Sequence, residues 1–347
     1  MSVTPFDSAL YRDLFGDAEI ARLFSDTAEV RAMMLVMGTL AKVQGQAGDI
    51  PEISGAFLHR AAMEVQVDPA ALSRPAWEAG TPVPALVEAV RAALNAPEHA
   101  PYLFRGATEH DIRDTARALR LRQALMLVEA RLGTALGGLA AVCGRKETGS
   151  APQLRVPAQA VLDWGKALLR LHDQLKTLRP ACLCVSLGAG EQTPARRSAL
   201  ATALGLGDPG DATPRDLSPL ADWLSELAAS GGKIASALQA HSPAETAIAI
   251  LGPSPLPALM ALSGHATALA SAMAHSQPAQ SEALRLAEYL ALPQLVATAA
   301  RSATLISAIA SAPLTLTPDP ALDEDLAGLA QAARDRARRI AETHAPG

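Results

Sequence analysis

Between Glu109 and Cys143 the chain runs without a proline and sets apolar residues at 112, 116, 119, 125, 128, 132, 135, 139 and 142. Steps of three and four recur through nearly the whole run, the pattern of a long helix buried along one side. Its start is marked by Thr108 with Asp111 three residues on, which imitates a capping box and puts a carboxylate near the positive helix end. Gly133, and Gly137 and Gly138 four and five residues later, sit inside the run. Each costs a helix about 1 kcal/mol, so the cluster, with Gly137 at its centre, predicts a close helix crossing or a kink. A helix of this length outruns any single small core, and part of its stripe is expected to pack against another subunit.

The same periodicity recurs almost everywhere. Ala28–Gln46 carries a one-sided stripe of Val30, Met33, Met34, Met37, Leu40 and Ala41, and Pro82–Leu94 repeats it on a shorter scale. Five further helices are expected over Pro157–Leu178, Pro214–His241, Pro255–His275, Pro278–Leu290 and Pro293–Ser311, each opening at a proline that a first turn tolerates. The acidic stretch Asp319–Asp325 followed by the basic run Arg334–Arg339 reads as a solvated amphipathic helix. The one strand-like run is Cys182–Leu187, too short and isolated to found a sheet. The fold class is therefore all-α, an elongated bundle of long helices. Three parts are expected: an N-terminal helical domain over 1–107, a central long-helix domain over 108–312 and a short C-terminal helical stub over 313–347.

Composition narrows the function classes. In 347 residues, 49% are hydrophobic and only 3% aromatic, so a sizeable core must be built mainly of alanine and leucine. A net charge of −5 and the lack of any run of five Lys/Arg argue against a nucleic-acid partner. Three cysteines make no disulfide framework, the N-terminus lacks the cationic and apolar regions of a signal peptide, and the most apolar windows are interrupted by Pro, Arg, His or Glu. A cytoplasmic protein without a membrane span is the expectation.

Motifs that announce a chemistry are missing. No P-loop, HExxH, paired CxxC or G-x-S-x-G stretch is present, and no G-x-G-x-x-G follows a strand. Cys182-Leu183-Cys184 has no second pair to complete four ligands, so no metal site is expected and the two thiols read as small buried residues. His110, beside the capping Thr108, reads as a solvated helix-end histidine or as a group that titrates near neutrality.

Three segments together resemble the fumarase/aspartase superfamily, and within it the bacterial 3-carboxy-cis,cis-muconate cycloisomerases. The opening from Phe6 to Asp17 and the run Glu29–Met33 with Leu40–Gln44 are similar to theirs. Gly80–Val87 followed by Glu98–Asp111 resembles the first signature, usually H-x-G-A-T-S-Q-D. Leu168–Leu171, Leu178–Pro180 and Glu288–Leu295 match in order and spacing. The resemblance implies a mostly helical three-domain fold with the C-terminal domain here reduced to a stub. It also implies a homotetramer built on long central helices, with active sites shared by three subunits. The implied reaction is lactonisation of a small polycarboxylate in aromatic breakdown, with no metal and no organic cofactor.

On that resemblance the catalytic groups fall on Ser254, Glu147 and Thr148, and substrate contacts fall on Thr108, Glu109, His110 and Ser150. The match departs where proton transfer and anion binding should occur. The usual histidine is Phe104, the usual Ser and Gln are Glu109 and His110, and neither register of the second signature supplies a histidine. In the third, the family's flexible loop falls on Gly252–Leu262, its lysine on Leu259 and its asparagine on Ala261. Three readings follow: a cycloisomerase, with altered chemistry; a catalytically silent relative acting as an oligomeric binding or scaffold protein; and another lyase of the superfamily acting on a succinyl-type substrate.

Overall fold

The computed structural model describes residues 4–144, 152–188, 194–210, 216–274 and 282–344. Among them the helices are α1 (Arg12–Phe15), α2 (Ala18–Leu23), α3 (Asp26–Gln46), α4 (Glu52–Glu64), α5 (Ser73–Ala79), α6 (Val83–Leu94) and α7 (Glu109–Cys143). They continue as α8 (Ala158–Cys182), α9 (Pro194–Leu204), α10 (Ser218–His241), α11 (Ala244–Leu251), α12 (Pro255–Ala274), α13 (Glu282–Ser311) and α14 (Asp323–His344). Two four-residue strands, β1 (Leu154–Pro157) and β2 (Leu314–Thr317), pair in parallel with Leu154 opposite Leu314 and Pro157 opposite Thr317. The all-α class holds.

The chain divides into two compact units, one of residues 22–123 and 179–215, the other of residues 1–21, 124–178 and 216–347. In the first, α3 is capped by Ser25, whose hydroxyl accepts from the Ala28 amide, and buries Met33, Met34, Met37 and Leu40. It lies close against α4 because the contact is made by glycines. A Cβ on Gly38 would come 2.6 Å from that of Ala62, and one on Gly55 would come 2.6 Å from the Ala41 carbonyl oxygen. Val83 and Leu86 of α6, Ile112 of α7 and Leu200 of α9 join the same core.

In the second unit α10, α12 and α13 pack together. Trp223 is buried on α10 and donates its indole N–H to the Leu171 carbonyl at 2.8 Å. α13 continues unbroken through Pro293, where two helices had been expected. A proline in a helix removes one hydrogen bond and crowds the preceding turn. Ala291, Leu292, Leu295 and Val296 are buried on both sides of it, and that packing keeps the helix continuous. α8 likewise runs past the expected end at Leu178 and through Pro180. Pro278 and Pro214, the expected starts of two helices, lie outside the described residues.

The glycine cluster of α7 does mark a close crossing, and Gly137 is not its pivot. A Cβ on Gly138 would lie 2.6 Å from the Ala310 carbonyl oxygen of α13, and one on Gly133 2.9 Å from Ile340 of α14. At Gly137 the nearest atom would be 3.7 Å away. α14 is amphipathic as expected, with its apolar face docked and its basic run largely solvated: Ile340 sits over Gly133, Leu329 over Gly165, and the arginines Arg334, Arg338 and Arg339 face outward.

The strand-like run 182–187 forms only an isolated bridge, Cys184 with Gly207, and the two true strands had not been anticipated. By length and composition, Glu109–Cys143 and Pro255–Met273 are long enough and apolar enough to cross a membrane, although the sequence had been read as offering no such window. Here both are bundle helices, α7 burying Leu121, Leu125, Val128, Leu132 and Leu136, and α12 burying Leu259, Leu262 and Ala266.

Candidate functional site

The segment entering α7 carries the first signature. A short 3-10 turn over Ala100–Tyr102 brings the chain to Leu103, which is buried, and then to Phe104 in a left-handed conformation, φ +67°. A bulky residue rarely adopts that region, and holding it there costs on the order of 1–3 kcal/mol. What holds it is packing of the Phe104 ring against the apolar core of its own unit. Gly106 follows at φ +66°, which glycine adopts freely. The Arg105 carbonyl between them accepts from Gln44 Nε2 at 2.7 Å.

Thr108 and Asp111 form the anticipated capping box. The Thr108 hydroxyl donates to Asp111 Oδ2 at 2.7 Å and accepts from the Asp111 amide at 3.2 Å, while the Thr108 amide donates to the same carboxylate at 2.9 Å. The other carboxylate oxygen, Oδ1, accepts from the Ser186 hydroxyl at 2.9 Å. Ser186 in turn gives its amide to Thr115 Oγ1 at 2.9 Å. This knot fastens the start of α7 to the stretch after α8, and each of its hydroxyls is already engaged inside the protein. Ser186 had not been singled out in the sequence; the only local signal was its place at the end of the strand-like run 182–187.

Glu109 and His110, side by side on the first turn of α7, are half-buried. Glu109 gains from the positive end of the helix. His110 Nδ1 is shielded from solvent and has no hydrogen-bond partner among the described residues. Ser254 belongs to the other unit, half-buried just before α12, where its carbonyl accepts from the Ala258 amide at 2.9 Å. Glu147, Thr148 and Ser150 lie outside the described residues.

Where the resemblance puts a loop lysine, Leu259 is 0% exposed, inside α12. Its Cδ2 occupies the space a Cβ on Gly231 of α10 would need, at 2.7 Å. Pro255 onward is therefore a helix that packs its Leu259 side against α10, not a loop. The thiols are no better placed for chemistry. Burial pushes Cys182 up to about 11, with neighbouring Cys184 adding to the shift, and burial also raises Cys184, helped by Asp208. A thiol that stays protonated is a poor nucleophile.

A buried polar network that sequence reasoning missed lies in the other unit. Glu129 of α7 accepts from His172 Nε2 of α8 at 3.1 Å and from His344 Nε2 of α14 at 3.0 Å. His172 Nδ1 lies 2.7 Å from Arg336 Nη1. A guanidinium can only donate, so Nδ1 is the acceptor and His172 is the neutral tautomer with its proton on Nε2. Arg336 also binds Asp173. The network joins three helices far apart in sequence, which no local pattern could reveal.

Comparisons with known proteins follow the same line. No family model matches the chain. Its relatives include a 3-carboxy-cis,cis-muconate cycloisomerase from Pseudomonas aeruginosa, 30% identical over 65% of this chain and 53% of that protein. A nitrosuccinate lyase from Streptomyces davaonensis is 34% identical over 36% of this chain and 27% of its own length. The matched stretches thus span between about a quarter and a half of these relatives. Among solved structures, the 3-carboxy-cis,cis-muconate lactonizing enzyme from Pseudomonas putida superposes with a TM-score of 0.77 at 23% identity, over 97% of this chain and 86% of that one. A fumarate lyase from Mesorhizobium sp. BNC1 gives 0.75 at 22%, over 95% and 86%. Sequence relatives and fold agree in their likeness to the fumarase/aspartase superfamily, the relatives over part of their length and the solved structures in fold.

Proposed function

We propose that this chain is a carboxymuconate-cycloisomerase-like protein that keeps the oligomeric scaffold of its relatives and does not perform their lactonisation. Closing a polycarboxylate onto its own double bond requires a general acid for carbon and fixed donors for the charge that develops. The observation that carries the reading is the first signature itself. Phe104, which the resemblance aligns with the family's histidine, packs against the core, and the Thr108 hydroxyl is spent on Asp111. Leu259, fully buried between α10 and α12, offers no ammonium to a substrate carboxylate. A positioned acid or base contributes roughly 10²–10⁴-fold and one electrostatic donor about 10²–10³-fold; the terms act as a unit, and losing several leaves little beyond proximity.

The homotetramer belongs to the same proposal. It is supported by α12, a helix without a single Asp, Glu, Lys or Arg whose Met260, Ala261, Gly264, Thr267 and Ala268 are exposed. Purified protein supplied with 3-carboxy-cis,cis-muconate tests the reading through ultraviolet absorbance, expected to hold steady while light scattering gives four subunits. A second reading is favoured by one atom, the shielded and unpartnered Nδ1 of His110 beside the capping box. If His110, or Glu147 near the second signature, has become the acid, turnover appears and is abolished by His110→Ala or Glu147→Ala.

A further inference from the structure

A cleft of about 880 Å³ opens where the N-terminal segment 6–21 lies against α7 and α13. It is of the size that small-molecule sites occupy, and it is made wholly of residues from one unit. Its walls carry three guanidiniums, Arg12, Arg131 and Arg301, and four carboxylates, Asp7, Asp13, Asp17 and Glu19. Some of this charge is already spent. Arg131 holds Asp17 at 2.6 Å and Glu19 at 2.8 Å, and Asp17 also caps α2 by accepting from the Ile20 amide.

Arg301 is different. Its Nε donates to the Leu14 carbonyl at 3.0 Å and its Nη2 to the Asp13 carbonyl, and among the described residues no carboxylate lies within ion-pair distance of it. Burial pushes this guanidinium down, against the pull of Asp17 and Asp13. A half-buried planar fork with only carbonyl acceptors has donors left for a carboxylate, the partner its geometry fits best. On the same walls the Asp13 side chain is 98% exposed and, among the described residues, its one ion pair is a loose contact with Arg12 at 4.0 Å. Asp7 is likewise exposed, with Thr4 as its hydroxyl partner. Phe6, backed by the His265 ring at 5.8 Å, and Ala18 give the cleft an apolar side.

A simple polyanion would meet more carboxylates than guanidiniums here, and a simple amine would meet Arg301. We propose that the cleft binds a zwitterionic ligand of the free-dipeptide class, its carboxylate on Arg301, its ammonium on Asp13 and Asp7, and an apolar side chain against Phe6. This site rests on the N-terminal segment and stands apart from the reading of the first signature given above.

Calorimetry on the full chain with glycyl-L-leucine, its N-acetylated form and its C-terminal amide tests the proposal. The free dipeptide should bind saturably, and each capped form should bind on the order of tenfold more weakly, since each loses one charge-assisted contact. Asp13→Asn, at a side chain that supports nothing in the fold, should weaken the free dipeptide by a similar factor and leave the amide-versus-acid preference intact. Arg301→Gln should abolish that preference; because Arg301 also tethers residues 13 and 14, Asp13→Asn decides if this variant misfolds. Equal binding of the N-acetylated form, no effect of Asp13→Asn, or no saturable heat with any of the three at millimolar concentration would overturn it.

Discussion

The three glycines of α7 give a graded perturbation whose order is fixed by what each would strike. Replacing any of them by alanine adds one methyl group and relieves the helix of glycine's backbone entropy, a gain of about 0.5–1 kcal/mol. At Gly137 the new Cβ would stand 3.7 Å from Ala337, ordinary contact, so the gain should be kept. At Gly133 it would stand 2.9 Å from Ile340 Cγ2, a side-chain end that can turn aside at some cost. At Gly138 it would stand 2.6 Å from the Ala310 oxygen and 2.7 Å from the Ala310 carbonyl carbon. Those are backbone atoms near the end of α13, and only a shift of one helix against the other clears them. Overpacking of that kind costs roughly 1–3 kcal/mol, which exceeds the propensity gain. Denaturant midpoints measured on the three alanine variants should therefore rank Gly137→Ala at or above wild type, Gly133→Ala near or below it and Gly138→Ala clearly lowest. Equal midpoints for Gly138→Ala and Gly137→Ala would refute the packing argument.

Leu259→Lys, which the family pattern would suggest as a repair, should instead lower stability by several kcal/mol, because it buries an ammonium between α10 and α12; a lysine variant as stable as wild type in denaturant would show that this part of α12 opens. Thr108→Val should cost about 1 kcal/mol through loss of the cap, seen as a lower midpoint and as faster amide exchange in the first turn of α7. Cys182 should resist alkylation in the folded protein at pH 8 and react only as the pH climbs toward about 11, against the ordinary thiol value of 9.0. The same shift means that the folded chain holds this proton more tightly, so the stability it contributes is complete below pH 9 and is lost as the pH rises through about 11. Glu129→Leu, which strips the shared acceptor from His172 and His344, should raise hydrogen exchange across the second half of α14 while leaving α3 and α4 unchanged.

What was legible in the sequence was what is local. The Thr108–Asp111 box needs only three residues of spacing, and the stripe of α3 needs only its own periodicity; both appear as read. The continuity of α13 was not legible, because Pro293 argues for a break and the burial that overrides it comes from other helices. The parallel pair of β1 and β2 was invisible for the same reason: each strand is four residues long and its partner lies in a distant part of the chain. Ser186 gains its role only by meeting Asp111 and Thr115, and Glu129 only by meeting His172 and His344. At Pro255–Leu262 two sequence arguments conflicted, an apolar helical period and a resemblance to a loop. The period prevailed, because a segment with no charged side chain is better buried against α10 than exposed as a loop.

The central claim, that the scaffold survives and the lactonising chemistry does not, is tested most directly with protein in excess over substrate. Purified chain is mixed with a substoichiometric amount of 3-carboxy-cis,cis-muconate and the ultraviolet absorbance of the diene is followed at neutral pH. With Phe104 packed against the core and Leu259 buried, the absorbance should decay no faster than in buffer, even though every substrate molecule has a folded subunit available. Loss of absorbance within seconds, abolished by Ser254→Ala, would contradict the account and return this chain to the working cycloisomerases.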